Sequence, residues 1–267
     1  KSTIKDLNFS MKFDYFLGSS QFLTFGYTLN NQLFNPQIIT TLNANQKKID
    51  FSDIGTARII NNFFVDNRFK PIDWLEINSG IRLSTTYSNR VEYYFQPRVR
   101  LLAEISDKVA FTASYDKLAQ SMHLLTNSTI GQPTDLWVPA SATAPFEIAD
   151  QIVFGINGSI YNDWDFNFGL FKKDYRNLID YKQGFNSYFG IKDNWQNMID
   201  VGTGKSYGLE LLVNKNSGKV NGWLSYTLSK SIREFPEIND GKSFPYKYNR
   251  MHNISLTSFL EFYDNKK

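Results

Sequence analysis

The sequence predicts an all-β protein whose strands form a membrane-spanning, antiparallel, up-and-down β-barrel. Three observations indicate this fold class. Apolar and polar residues alternate in runs of about ten, short turns alternate with mostly long polar loops, and no apolar stretch approaches the roughly 18 residues of a membrane helix. Alternation with a period of two is typical of a strand with water on one face only, and a tilted strand crosses a bilayer in roughly 9 to 11 residues.

The composition agrees with this fold class and excludes several others. Aromatic residues make up 16% of the chain, there is no cysteine, and the formal net charge is +3. The mean hydropathy is -0.38, and there are no long apolar stretches. Together these two observations exclude a helical membrane protein. Without cysteine there is no disulfide framework. The charges are interspersed rather than clustered, so nucleic acid is not an expected partner.

The alternation gives about eleven strands. They lie at roughly residues 4–16, 21–31, 51–66, 73–87, 92–105, 109–117, 150–161, 163–176, 199–214, 219–232 and 250–263. We expect the apolar side of each strand to face lipid. In the two clearest strands that side consists of Leu7, Phe9, Phe13, Leu209, Leu211 and Val213.

The connections between these strands alternate in length. Tight turns are expected at Gly18–Ser20, Ser106–Lys108, Asn162–Asp163 and Lys215–Gly218, and long loops at 32–50, 118–149, 177–198 and 233–249. Two connections depart from this alternation, a longer turn at 67–72 and a short loop at 88–91. Because outer-membrane barrels have short periplasmic turns and long external loops, the long loops should be extracellular.

The strand number indicates a barrel larger than this chain. Single-chain bacterial barrels close with an even number of strands, because an open sheet in lipid leaves unpaired backbone groups. About eleven strands do not meet this condition. We therefore expect residues 1–267 to be a central segment of a larger barrel of about 22 strands, the number found in outer-membrane transporters.

Eight segments in the second part of the chain resemble one family of outer-membrane proteins. They are GIRLS (80–84), FQPRVRL (95–101), VAFTASYDKLAQSMHLL (109–125), DLWVPAS (135–141), ADQIVFGI (149–156), SYGLELLV (206–213), GWLSYTLSKSIREF (222–235) and FPYKYNRMHNISL (244–256). In this order and spacing they resemble the TonB-dependent outer-membrane transporters, especially the Bacteroidota type with an N-terminal carboxypeptidase-like regulatory domain. The resemblance covers about residues 75–263, and by analogy with the family the whole chain would correspond to about strands 8 to 18 of 22.

The resemblance implies an integral protein of the bacterial outer membrane that takes up a scarce nutrient through a plugged barrel. Energy would come from the TonB–ExbB–ExbD system, and a surface lipoprotein could cover the barrel as a lid. In this family the energy-coupling residues lie on the plug domain. That domain and the terminal strands would lie outside this segment, so the resemblance assigns no residue here to coupling.

No motif in the chain indicates catalysis, a cofactor or a metal site. The segment GTGKS at Gly202–Ser206 lacks the first glycine of a phosphate-binding loop, because Ile199 occupies that position. The two histidines, His123 and His252, have no metal-ligand spacing and no matching serine–carboxylate partners. We therefore do not expect an enzyme.

Several charged residues should face the barrel interior, since an ionisable group is costly against lipid. Glu76 and Arg82 share one parity of their strand, and Arg98, Arg100 and Glu104 share one parity of the next. Glu210 lies between Leu209 and Leu211 and so has the opposite parity to the apolar residues of its strand. The favoured interpretation is that these groups bind a plug or one another, and direct contact with substrate is the alternative.

Aromatic residues fall into two groups. Those at strand ends fit the interfacial girdles of barrels, with sugar stacking as the alternative; they are Tyr15, Trp74, Tyr87, Tyr93, Tyr115 and Trp164. Those in the long loops could anchor an external binding surface for substrate or for a lipoprotein. They are Trp137, Tyr181, Phe185, Tyr188, Trp195, Phe235, Phe244 and Tyr246, of which Trp137 and Trp195 are the strongest candidates. For Trp137 a structural role in its loop is the alternative, and the resemblance slightly favours it.

Two functions of different classes lead, ahead of a plugless diffusion porin as the third and a barrel enzyme as the fourth. The first is an active transporter of the outer membrane. The second is a transporter-like barrel that serves as a structural or assembly scaffold in an outer-membrane protein complex. A plug and a TonB-contacting box elsewhere in the full protein would favour the transporter, and their loss would favour the scaffold.

Overall fold

A computed structural model describes residues 3–35, 39–42, 48–51, 56–87, 91–125, 136–161, 163–183 and 195–261. Its strands are β1 (Thr3–Phe16), β2 (Gln21–Asn35), β3 (Ile39–Leu42), β4 (Lys48–Phe51), β5 (Thr56–Ile72), β6 (Leu75–Tyr87), β7 (Val91–Ser106), β8 (Val109–Gln120), β9 (Met122–Leu125), β10 (Leu136–Pro139), β11 (Glu147–Ile160), β12 (Trp164–Tyr181), β13 (Ile199–Lys215), β14 (Val220–Glu234), β15 (Phe244–Pro245) and β16 (His252–Leu260). Two single-turn 3₁₀ helices lie at Trp195–Asn197 and Asn239–Gly241. Within the described ranges, no helix has the length and apolarity needed to span a membrane.

The long strands form one antiparallel sheet of 12 strands in the order β1-β2-β5-β6-β7-β8-β11-β12-β13-β14, with β15 and β16 both paired to β14. Each long strand pairs with the next long strand along the chain. The pairs β3–β4 and β9–β10 form small separate sheets. The predicted all-β, antiparallel, up-and-down architecture is confirmed.

The structure moves several predicted boundaries. The strand β5 continues to Ile72, so residues 67–72 are strand and only Asp73 and Trp74 form the turn to β6. The strand β12 continues to Tyr181, beyond its expected end at 176. A bulge between Arg176 and Leu178 explains the second difference, because Asn177 adopts a left-handed φ of 58° and interrupts the alternation of side chains.

Antiparallel pairing separates the connections into two sets. We call the edge with the tight turns β1–β2, β5–β6, β7–β8, β11–β12 and β13–β14 the turn end, and the opposite edge the loop end. Parts of the loops 32–50 and 118–149 are strand, since they contain the hairpins β3–β4 and β9–β10. The loop end therefore contains folded structure of its own.

The two faces of the large sheet differ in chemistry, as the alternation predicts. On the apolar face, Phe25 and Ile81 are 44% and 48% exposed. On the polar face, Ser84 and Gln96 are only 4% and 8% exposed. The strand register joins residues of the same face into rows; one apolar row consists of Ala103, Phe111, Ile156, Phe168, Leu211, Tyr226 and Ile254.

The polar face is the concave side of the sheet. Cα atoms of β9 lie within 8 Å of β12, and those of β10 lie within 8 Å of β2. In a flat sheet β2 and β12 would be roughly 29 Å apart, since six strand spacings separate them. One hairpin cannot contact both unless the sheet curves around it. The Phe146 and Tyr94 rings, which stack with 3.9 Å between centroids, fix the following segment on the polar face.

Candidate functional site on the polar face and at the loop end

The polar face is crossed by a row of side chains in register. It runs through Asp14, Thr24, Asp66, Gly80, Arg98, Asp116, Gln151, Lys173, Ser206 and Ser231. Neighbours in the row bind each other: Thr24 Oγ1 donates to Asp14 Oδ1 at 2.7 Å, and the hydroxyls of Ser206 and Ser231 are 2.8 Å apart. The concave surface is therefore wettable across the whole sheet.

An ion pair on this row bridges two strands that are not neighbours. Arg98 of β7 donates from Nε to Oδ1 of Asp66 on β5 at 2.8 Å, across the intervening strand β6. Gly80 of β6 lies between them in register. A Cβ at Gly80 would lie 1.9 Å from Oδ1 of Asp66 and 2.8 Å from Nε of Arg98. Glycine is therefore the residue that leaves room for this pair.

Two other predicted wall charges, Glu76 and Arg100, line a depression of about 610 Å³ together with Arg98. Glu76 accepts hydrogen bonds from Arg68 at 2.6 Å and from Asn78 at 2.8 Å, and Arg100 lines the same depression. Because acidic and basic groups alternate here, the depression has no dominant sign of charge.

Three further predicted charges lie elsewhere on the polar face. The guanidinium of Arg82 lies 5.9 Å from the centre of the Phe64 ring, and its buried Nε has no hydrogen-bond partner within the described part of the chain. Glu104 lies towards the turn end, and Glu210 lies on β13 opposite Gly169 and Thr227. The structure thus brings together Glu76, Arg98 and Arg100, but not Glu210.

A buried apolar cluster fixes the β9–β10 hairpin at the loop end. It contains Leu125, Val138, Ala144, Tyr181, Met198 and Ile199, with Ile179 and Trp195 packed against it. His123, only 2% exposed, donates from Nε2 to the Pro145 carbonyl at 2.9 Å. The buried, hydrogen-bonded position of His123 indicates that this side chain supports the folded loop.

A small pocket of about 200 Å³ lies beside this cluster. Its lining is Gln120, His123, Leu124, Glu147, Leu178, Ile179, Asp180, Arg233, Phe235 and Tyr246. Arg233 is the central cation, because its guanidinium carbon lies 4.3 Å from the Tyr246 ring centre and 5.1 Å from that of Tyr175. Two aromatic faces thus hold the guanidinium in place.

Burial shapes the electrostatics of the pocket. Glu147 and Asp180 lie beyond the last apolar row of β11 and β12, which contains Phe154 and Leu170. Burial raises the pKa of both carboxyls, and the positive charge of Arg233 opposes that shift. Burial also raises the pKa of the Tyr246 hydroxyl and lowers that of His123. The pocket is therefore suited to hydrogen bonding with a small polar ligand.

A family model decides the evolutionary relationship of this sheet. The model, described as "TonB dependent receptor-like, beta-barrel", matches residues 2–265. The chain belongs to this family. The match includes the first 70 residues, which carry none of the family-like motifs. Members of the TonB-dependent receptor family are outer-membrane β-barrel transport receptors, not enzymes.

Solved structures of TonB-dependent receptors have the same fold. The FrpB iron transporter from Neisseria meningitidis (F3-3 variant) is 13% identical, with a TM-score of 0.64, and the match covers 90% of this chain and 37% of that one. The ferric-catecholate import receptor Fiu from K12 E. coli is 13% identical, with a TM-score of 0.63 and coverage of 98% and 42%. The alcaligin receptor FauA from Bordetella pertussis is 17% identical, with a TM-score of 0.59 and coverage of 96% and 42%. The chain thus spans about two fifths of their length. No curated protein matches the chain significantly.

The loop aromatics of this TonB-dependent receptor barrel are less exposed than the sequence suggested. The expectation of exposure is wrong for Phe235, which is 2% exposed, and for Tyr181, which lies buried at the end of β12. Trp195 is half-buried, and Trp137 on β10 is 42% exposed. Phe185 and Tyr188 lie outside the described residues.

Sequence reasoning missed the three charged residues of the loop-end pocket. Glu147, Asp180 and Arg233 each lie near the end of a strand, and three different segments bring them together. The available signal was weak: Glu147 follows Phe146, Asp180 precedes Tyr181, and Arg233 lies two residues before Phe235. Only the fold brings the rings of Tyr175 and Tyr246 against the guanidinium.

Proposed function

We propose that the chain forms part of the barrel wall of a TonB-dependent outer-membrane transporter that takes up a scarce nutrient through a plugged barrel. The observation that carries this proposal is the curved sheet of a receptor-family member, with a continuous polar row on its concave face and exposed apolar side chains on the other. Such a wall separates a wet interior from lipid.

The proposal places the protein as an integral component of the bacterial outer membrane. The apolar face supplies the lipid contact, and aromatic residues lie near both of its edges. Tyr15, Trp74 and Trp164 are exposed near the turn end, and Tyr87 and Tyr93 are exposed near the loop end. Aromatic side chains prefer the membrane–water interface. The turn end would face the periplasm and the loop end the exterior, as in other barrels of this kind.

The remaining parts of the transporter would be supplied by other segments of the full protein. Residues 1–267 would be the central part of a barrel of about 22 strands, and the plug domain would contact the charged wall around Glu76, Arg98 and Arg100. Coupling to TonB–ExbB–ExbD, the Bacteroidota type with its regulatory domain, and a covering surface lipoprotein are parts of the same proposal.

The external binding surface would lie at the loop end. Trp137 offers an exposed ring on the hairpin, and the neighbouring pocket offers Arg233 between Tyr175 and Tyr246. Because the two rings already orient the guanidinium of Arg233, its side chain loses little conformational freedom when a ligand binds. Tyr246 and the half-buried Trp195 would support this surface from below rather than contact the ligand as free anchors.

A genetic test separates the transporter from a scaffold. Deletion of the full-length gene should impair growth when iron, cobalamin, glycan or peptide is limiting, in at least one of these media. Loss of TonB should impair growth in that medium, and the double deletion should be no worse there than loss of TonB alone. The outcome that contradicts transport is a deletion without any such defect that instead disperses an outer-membrane complex in a TonB-independent manner, because that result identifies a scaffold.

A further inference from the structure

The apolar face carries a group of cations at the middle of β12 and in the loop-end halves of β13 and β14. Lys172, Lys205 and Lys230 are all exposed there. We call these three residues the lysine patch. Each has the parity of the apolar rows, so the patch belongs to the convex face and not to the polar wall.

The register brings the three lysines together around one tyrosine. Lys172, Tyr207 and Lys230 form one row across β12, β13 and β14. Lys205 lies in the next row towards the loop end, diagonal to both of the other lysines. Diagonal neighbours on one face are about 7 to 8 Å apart, within reach of long side chains. A single headgroup can therefore contact all three.

The patch lies where the apolar band ends. The row below it consists of Phe154, Leu170, Leu209 and Leu228. Counted from Trp164 near the turn end, the patch begins about eight residues along β12, which corresponds to roughly 20 to 25 Å of height at a tilt of about 40°. That is the height of the apolar band of an outer-membrane barrel. The ammonium groups consequently lie at headgroup level.

Neighbouring acids neutralise only part of the patch, because the three lysines share one acid, Asp174, which lies opposite Lys205 in register. Lys172 pairs with Asp174 at 2.9 Å, and Arg176 pairs with Asp150. Lys205 and Lys230 make no ion pair within the described residues. Followed by register onto β5, β6 and β7, the same two rows hold no cation: they contain Asn67, Ser79, Val99, Val65, Ile81 and Pro97. The positive charge is thus local to one side of the wall.

We propose that the lysine patch binds the phosphate groups of a phosphorylated glycolipid headgroup in the leaflet at the loop end. Lys172 and Lys230 are two strand spacings apart, roughly 10 Å, so two phosphates carried on one disaccharide headgroup match two separate cations. The acyl chains would lie over Leu170, Leu209 and Leu228, and Tyr207 would pack against the sugar. This inference rests on the proposed outer-membrane location and orientation.

The test compares lipid binding by the purified full-length protein and its variants. The probe is bisphosphorylated lipid A, with its dephosphorylated form as the reference, in detergent micelles. The triple variant K172Q/K205Q/K230Q should bind lipid A at least about tenfold more weakly, because each basic residue near a charged lipid surface contributes to binding. Added salt should weaken binding by the wild type, because it screens exposed charges.

Two matched controls use neighbouring lysines. Lys173→Gln changes the residue next to Lys172 on the opposite face, and Lys215→Gln changes the same face at the turn end. Both should bind lipid A as the wild type does. The proposal is overturned if the triple variant binds normally, if Lys173→Gln loses as much binding, or if the dephosphorylated lipid binds equally well.

Failure of this inference can be told apart from failure of the proposed function. Heat-modifiable migration on gels shows whether each variant is folded, and membrane fractionation shows whether the protein is in the outer membrane. If the protein is folded and lies in the outer membrane but does not bind lipid A, only the proposal about the lysine patch is refuted. A protein absent from the outer membrane refutes the location on which both proposals depend.

Discussion

The two faces of the large sheet share one backbone ladder but hold their side chains in different ways. On the polar face, side chains bind each other from strand to strand, as Gln96 donates to Ser84 at 2.7 Å and Ser84 donates to Asn62 at 2.6 Å. On the apolar face, side chains such as Phe25 and Ile81 remain exposed in the protein alone and would contact lipid in the membrane. The concave face is therefore specified by directional contacts within the protein, and the convex face mainly by polarity. Substitutions should reveal this difference.

The largest effect is expected from a charge on the apolar face. Leu211→Lys should cost about 2 to 4 kcal/mol of folding free energy in a bilayer, because it places an ammonium group against lipid midway along the apolar band, between Lys215 at the turn end and Tyr207 at the level of the lysine patch. Glu210→Lys, at the adjacent position on the polar face, should cost much less. Urea titrations of folding into lipid vesicles measure both. An equal cost for the two variants would reverse the assignment of faces.

An intermediate effect is expected from a single methyl group on the polar face. Gly80→Ala should cost about 0.5 to 1.5 kcal/mol, because the added Cβ forces the exposed Asp66–Arg98 pair apart. Gly169→Ala is the matched control, since the nearest atom to its Cβ would be the Phe154 carbonyl oxygen at an ordinary 3.9 Å. The same titration measures both.

A double-mutant cycle isolates the cause of the Gly80 effect. In a background carrying Asp66→Ala, the pair is already absent, so Gly80→Ala should be close to neutral. If Gly80→Ala remains equally costly in that background, backbone strain rather than the ion pair is responsible, and the polar face is less dependent on directional contacts than we infer.

The smallest effect should come from pH, through His123 beneath the folded loop. Burial lowers the pKa of His123, so the neutral imidazole is favoured in the folded loop. The contribution of neutral His123 to the stability of the closed hairpin is therefore complete above the ordinary histidine pKa of about 6.5. It is lost as the pH falls below that value, because His123 takes up a proton when the hairpin opens. At pH 5.5 the hairpin should open at most about tenfold more often than at pH 7.

Hydrogen exchange of the β9 and β10 amides, corrected for the intrinsic pH dependence of exchange, measures this opening. His123→Gln retains a side-chain N–H that can donate to the Pro145 carbonyl but does not titrate. Its hairpin should show no added opening at low pH. If opening of the His123→Gln hairpin depends on pH as strongly as that of the wild type, another titrating group controls the loop.

Much of the architecture could be predicted from alternation alone. The shared parity of Glu76 and Arg82, and of Arg98 and Arg100, follows from a period of two, and the sheet has that arrangement. The extension of β12 could not be predicted, because the bulge at Asn177 breaks the period where the strand continues.

The loop end was the part least accessible to sequence reasoning. The stacking of Tyr94 on Phe146 joins residues that are distant in the chain, and no local pattern encodes it. Aromatic residues in a polar loop look like exposed anchors in sequence, yet Phe235 is buried because the loop folds onto the wall. Interfaces between segments depend on curvature of the sheet, which periodicity does not report.

The ion pair above Gly80 also has a consequence for how the wall assembles. Alternation cannot distinguish the correct alignment of β6 from one displaced by two residues, because both keep every side chain on its proper face. Such a displacement would bring Asn78 or Arg82, instead of Gly80, between Asp66 and Arg98. Either side chain would occupy the space the pair needs, so only the native alignment allows it to close. The pair therefore favours the native register of β5, β6 and β7 over one displaced by two residues.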